Sequence, residues 1–276
     1  KLWANVEAET ETTAPRRTGP DAEAWISASL GASLLTASVG DDAGRPFIML
    51  TTLAALLLPI AVLQSGAPTS GGAAAINAQR FAQCVASIDE DAARAYEDAM
   101  SWASEGQSLS AYRCAAMALI AQNRADEGAR RLESLGSAVN PAETALQAEL
   151  FSQAGNAWLL ARDPARGRSA FTRAIAVMES DPAQLPDLLI DRARAYAMEQ
   201  DWRNAEEDLS RSIDIRRDNA LALRLRASAR MHQRAYDLAE ADALAAAQIE
   251  PANVDNYLIL GHVRESRRTG EPVSEQ

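Results

Sequence analysis

Lysine is almost missing from this chain. Lys1 is the single one in 276 residues, and arginine supplies every other Lys/Arg charge. Such usage is common in proteins encoded by GC-rich genomes, so a bacterial origin is expected. Acidic residues outnumber basic ones, 38 to 27, for a formal net charge of −11. General nucleic-acid binding needs a basic footprint, so no nucleic-acid partner is expected. Histidine is confined to His232 and His262, and cysteine to Cys84 and Cys114. None of these stands in a close ligand pair, which excludes the usual zinc spacings and leaves no metal to expect. A phosphate-cradling Gly-rich loop, a Gly-x-Ser-x-Gly elbow and a His-Glu-x-x-His pair are all missing. No catalytic constellation, cofactor or small-molecule substrate is therefore expected, and the chain is not read as an enzyme. Aromatics make up only 5%, and no segment shows the sustained apolar/polar alternation of a strand. What is abundant is alanine, the best helix former and too small to fill a core alone. The fold class is all-α, with helices in close contact.

The chain reads as three regions. Residues 1–45 mix Thr, Gly, Pro and acidic residues, including Pro15-Arg16-Arg17-Thr18-Gly19-Pro20, and are expected to be a disordered or artefactual N-terminal extension. Residues 46–75 hold an uncharged apolar run over 47–63, followed by small residues ending in Ala73-Ala74-Ala75. This is the pattern of a secretory signal peptide with a small-residue cleavage site. The alternative is an uncleaved membrane anchor, since the run approaches the shorter spans that cross a bilayer. Residues 76–276 are expected to form one helical domain.

Within that domain a small residue recurs at a fixed distance. Ala193, Ala227 and Gly261 follow one another at intervals of 34, as do Ala205 and Ala239. Earlier copies are a few residues longer: Ala116 leads to Gly128 and Leu132, and Gly155 leads to Trp158, Gly167 and Phe171. Pro141, Pro182 and Pro251 follow the second segment of three copies, where proline ends a helix because it cannot donate to the ladder. Small residues let two helices of a unit approach closely; Trp158, Tyr196 and Phe171 fill the gaps between units. A period of 34 with these slots resembles the tetratricopeptide repeat, over roughly Leu109 to Arg268. The resemblance implies a right-handed α-α superhelix, a solenoid of antiparallel helix pairs in which each unit hides its apolar face on its neighbour. A final half-unit from Val254, ending in Arg264, Glu265, Arg267 and Arg268, reads as a solitary polar capping helix.

The two cysteines fall on expected helices at Asn77–Ser87 and Ser110–Ala121, with a helix Glu90–Ala103 between them. If these are stacked units, the cysteines lie on neighbouring equivalent helices. A Cys84–Cys114 disulfide would close a loop of about thirty residues and stabilise by ~3–4 kcal/mol on the chain-entropy model. Two buried thiols are the alternative. The acids Glu206, Glu207 and Asp208 open a second helix, where they are expected to face water and the helix dipole.

The resemblance also implies that the first helix of each unit lines a concave face. Aligned copies place Asn156, Arg194, Ser228 and His262 at one position of it. Ser152, Ile190, Arg224 and Leu258 fall one turn earlier, and Leu159, Ala197, Met231 and Glu265 one turn later. The expected partner-binding groove is thus Asn156, Ile190, Arg194, Arg224, Met231 and His262, with Arg194 and Arg224 suited to a carboxylate and Ile190 and Met231 to apolar side chains. A carboxylate clamp of the kind some tetratricopeptide domains use would be matched by Asn156. Ser152 stands where it needs Lys, Asp191 where it needs Asn, and Leu221 and Leu225 where it needs basic residues. The expected function is a protein-interaction scaffold with a peptide or protein partner in the bacterial envelope, periplasmic or membrane-anchored. A self-assembling structural module is the alternative.

Overall fold

The computed structural model describes residues 70–106, 108–178 and 183–270, with side chains from residue 74 onward. The expected extension 1–45, the apolar run 47–63 and the turn residues Asp181 and Pro182 lie outside the described residues. Among the described residues there are eleven helices and no strand: α1 (Ser70–Ile88), α2 (Ala92–Gly106), α3 (Leu109–Ala121), α4 (Ala125–Ala138), α5 (Thr144–Leu160), α6 (Pro164–Met178), α7 (Leu185–Met198), α8 (Trp202–Ile215), α9 (Ala220–His232), α10 (Tyr236–Ile249) and α11 (Val254–Thr269). None is long and apolar enough to cross a membrane. The first helix starts at Ser70, ahead of the Asn77 that the sequence suggests, so it runs back across the expected domain start at residue 76.

Short turns separate the paired helices, and four have the same construction. Asn123, Arg162, Gln200 and Arg234 have φ between 61° and 64°. In each turn the following amide returns to a carbonyl five residues back: Arg124 to Leu119, Asp163 to Trp158, Asp201 to Tyr196 and Ala235 to Arg230. This closes the helix on a left-handed residue, a place where glycine is favoured because a Cβ there crowds the following carbonyl. No glycine occupies these four turns. Gln200→Gly and Arg234→Gly are each expected to stabilise the protein by about 0.5–1 kcal/mol, the relieved strain exceeding the extra entropy of an unfolded glycine. A urea midpoint that falls for both variants would refute this account of the turns. Helix starts are tied by side chains: Asp201, Asn219 and Asn253 accept from Asn204 N, Ala222 N and Asp255 N.

The described chain divides inside α7 into two compact units, 70–192 and 193–270. In the first, α1 packs on α2 and α3, and each helix from α2 to α5 packs on the next. Its core gathers Ala116, Leu132, Leu150, Ala154 and Trp158, and a second cluster gathers Phe151, Ala174, Ile175 and Leu189. The small slots are close-approach points. A Cβ on Gly128 would lie 2.7 Å from the Ala116 carbonyl, and one on Gly155 would lie 2.5 Å from Phe171. Cys84 on α1 and Cys114 on α3 are joined by a disulfide, with their Cα atoms 6.3 Å apart.

In the second unit α8 packs on α9, α9 on α10 and on α11, and α10 on α11. Ala227, Met231, Ala239, Ala243, Ile259 and Val263 form its core. The buried Asn256 amide donates to the Ala246 and Glu250 carbonyls at 3.1 and 3.0 Å, pinning the start of α11 to the end of α10. The last helix is less polar than expected. Arg264 and Arg267 do pair with Glu240 on α10, and Arg268 pairs with Glu265. The Arg264 and Arg267 guanidiniums, the Arg264 hydrogen bond first, hold the Glu240 carboxyl below its usual range. Val254, Tyr257 and Leu258 nevertheless stand exposed on the same helix.

Candidate functional site

Alignment on the small slots identifies which side chains share a face. In the first unit a polar row crosses three first helices. Arg113 on α3 donates from Nε to Gln153 Oε1 on α5 at 3.0 Å and pairs with Glu149 on the same helix. Its guanidinium lies 4.9 Å from the centre of the Phe81 ring on α1. Along α5, Asn156 Nδ2 donates to the Ser152 carbonyl at 3.2 Å. Asn156 Nδ2 and Ser152 Oγ both point at Asp191 on α7, each 3.5 Å from its Oδ2. The row therefore runs from a guanidinium through two carboxamides and a hydroxyl to a buried carboxylate.

In the second unit the equivalent pairing recurs. Arg224 on α9 meets Asp255 on α11 at 3.1 Å. Arg113 and Arg224 each precede a small slot, Ala116 and Ala227, by three residues; Glu149 and Asp255 each precede one, Gly155 and Gly261, by six. An arginine on one first helix thus reaches an acid on the next first helix at equivalent positions in both places, whereas Ser152 and Ile190 fill the arginine's position in the copies between.

The six residues expected to line the groove are placed as follows. Asn156 and Ile190 lie in the first unit; Arg194, Arg224, Met231 and His262 lie in the second. Asn156 is half-buried and lies in the polar row. Ile190, Arg194 and Met231 are only 3%, 2% and 1% exposed, so they are packed inside the protein and offer no open surface to a partner. The repeat alignment counts turns along a helix but cannot say how far a side chain leans into its neighbours. Arg224 is already engaged by Asp255. His262 is half-buried.

Reasoning from sequence passed over Arg113, Glu149 and Gln153. The signal was available: carrying the alignment one copy upstream puts Arg113 level with Arg224. The acids at the start of α8 also differ from expectation. Asp208 is buried, and Glu206 accepts from Arg230 Nε at 2.8 Å and from Gln233 Nε2 at 2.7 Å, so this end of the helix is not simply solvated. The reason is Arg230, which stands where the three preceding copies carry Leu119, Trp158 and Tyr196. It brings a charge to a packing slot, and acids from α8 and α10 meet it.

Among the described residues no group of three or more His, Cys, Asp or Glu could hold a metal ion. Four more arginines of the first unit lie over aromatic rings: Arg80 over Trp102, Arg131 over Tyr96, Arg166 over Trp158 and Arg173 over Phe151, at 4.9, 5.5, 4.7 and 3.9 Å from the ring centres. A planar guanidinium can lie flat on a ring and still donate at its edge, which an ammonium cannot.

No protein-family model matches the chain, and no curated protein matches it. Solved structures similar to it include the Arabidopsis OM64 TPR domain, at 23% identity, covering 46% of this chain and 98% of that one, with a TM-score of 0.41. YrrB, described as a TPR protein with an unusual peptide-binding site, is 15% identical over 63% of this chain and 86% of its own, with a TM-score of 0.48. The second TPR domain of human RPAP3, in complex with an HSP70 peptide, is 23% identical over 45% and 98%, with a TM-score of 0.40.

Proposed function

We propose that this chain is a non-catalytic scaffold that holds an extended peptide or protein segment against the first helices of its units. The observation that carries the reading is the polar row Arg113–Gln153–Ser152–Asn156. These groups sit on successive equivalent helices, are neither sealed in the core nor fully in water, and bond to one another and to the flanking carboxylates of Glu149 and Asp191. Carboxamides and hydroxyls so arranged can exchange their mutual hydrogen bonds for those of a peptide backbone, which presents a donor and an acceptor at every residue. The same proposal puts the chain in an oxidising compartment of a bacterial envelope, exported or membrane-anchored. Its support is the paired Cys84 and Cys114 together with the uncharged run 47–63.

The test is a displayed random-peptide library panned on the immobilised full chain. Recovered peptides are expected to bind in solution and to lose about tenfold in affinity with Asn156→Ala or Arg113→Ala, the worth of one good hydrogen bond. Recovery of peptides indifferent to both substitutions, or of none, would sink the proposal.

A second reading, self-assembly, is favoured by a separate observation. Leu238, Leu244, Ile249, Val254, Tyr257 and Leu258 are exposed on or beside α10 and α11. Exposed apolar side chains concentrated on two successive helices offer material for an association surface. A sedimentation mass that rises with concentration and falls back with Leu258→Glu would select this reading.

A further inference from the structure

We infer that the Cys84–Cys114 disulfide is a redox latch whose reduction releases α1 from the rest of the first unit. Every other helix of that unit with described side chains buries several of them, whereas α1 buries none from residue 74 onward. It is held by the half-buried Phe81, Val85 and Ile88, which rest on Ala99, Cys114 and Ala115, and by the Arg80 contacts to Glu105 and Trp102. The bridge itself closes a separation of 30 residues and is the single covalent tie between α1 and α3. A helix with so little buried surface depends on the tie, because without it the entropy of docking must be met by three partly covered apolar side chains and the exposed contacts of Arg80.

The two cysteines are not equally covered. Cys114 is fully buried, whereas Cys84 is half-buried and lines a cavity of about 300 Å3 with Arg80, Ser87, Asp98 and Trp102. An attacking thiolate of a dithiol reductant enters there, beside the Arg80 guanidinium, and bonds to Cys84 Sγ. The Cys84–Cys114 bond breaks, and Cys114 takes the electron pair and a proton. The reductant's second thiolate then attacks its own bridged sulfur, and Cys84 leaves with a pair and a proton. The reductant ends as a disulfide and the protein as two thiols. With α1 released, Phe81 leaves the Arg113 guanidinium, and Ala99, Ala111 and Ala115 lose their cover. The edge of the polar row thereby changes with redox state. That last link rests on the peptide-binding reading; the release of α1 does not.

Hydrogen exchange on the full chain tests the latch without any peptide. After treatment with dithiothreitol under native conditions, amides of α1 from residue 74 to 88 are expected to exchange on the order of 100-fold faster, with α3 to α6 changing less than about threefold. The double variant Cys84→Ala/Cys114→Ala is expected to show the same pattern with no reductant. Three results would each overturn the inference: thiols that fail to appear under native conditions, α1 protection unchanged after they appear, or α1 and α3 to α6 losing protection together.

Discussion

Asp242→Asn is expected to destabilise the 193–270 unit by about 3–5 kcal/mol, the cost of breaking a buried charge cluster from one side. Asp242 on α10 is 5% exposed and accepts three charge-assisted bonds. Arg226 reaches it twice, Nε to Oδ2 at 2.9 Å and Nη2 to Oδ1 at 2.8 Å, and Arg230 Nη1 reaches Oδ2 at 2.8 Å. Asparagine has the same shape but turns a donor toward a guanidinium and removes the negative charge. Arg230 keeps Glu206, whereas Arg226 is left with the Ser210 hydroxyl at 3.2 Å and no carboxylate among its bonds. Both arginine side chains are only 15% exposed, so water does little to compensate. Protection of α8 and α9 amides in urea is the measurement. Asp126→Asn, in an exposed pair with Arg130 at 2.9 Å, is the control and should cost less than about 0.5 kcal/mol. Equal effects at the two aspartates would show that the cluster contributes nothing beyond a surface pair.

Phe171→Ala is the second large effect, about 3–5 kcal/mol for a fully buried ring. Its interest lies in the partner position. A Cβ on Gly155 would sit 2.5, 2.7 and 2.8 Å from three atoms of the Phe171 ring. Gly155→Ala alone is therefore expected to cost about 1–3 kcal/mol by overpacking, against the usual gain from replacing glycine inside a helix. In the Phe171→Ala background the ring is gone, and Gly155→Ala should instead stabilise by about 0.5–1 kcal/mol. The double-mutant cycle then reports a coupling of more than 1 kcal/mol. Additive costs would mean that Gly155 is glycine for some reason other than this ring.

Much of the fold is legible in the chain before any coordinates. Ala193, Ala227 and Gly261 recur at one interval, and that interval is the length of a helix, a turn, a second helix and a turn. The α3 helix was placed within one residue of where it lies, and α11 likewise, because their limits are set by local signals such as Asn253 and the glycine at 270. The α1 helix starts earlier than the sequence suggests, because the small residues up to Ala75 read as the end of a signal segment rather than as helix. The candidate site was less legible. Arg194 and Arg224 look alike in sequence, yet one is buried and the other is paired with an acid 31 residues away.

By itself, then, the sequence determined the helical class, the repeat interval, the slots that must stay small and the residues large enough to fill them. These depend on periodicity and volume, which are properties of neighbours along the chain. Tertiary structure alone decided which polar groups face outward and which are consumed. Arg230 became the hub of a buried cluster because Glu206 and Asp242 arrive from helices on either side of it. Arg113 joined the polar row because α5 brings Glu149 and Gln153 within hydrogen-bond reach. A charge is stabilised by whatever lies within a few ångströms, and in this helical repeat those groups come from other helices, 12 to 40 residues away along the chain.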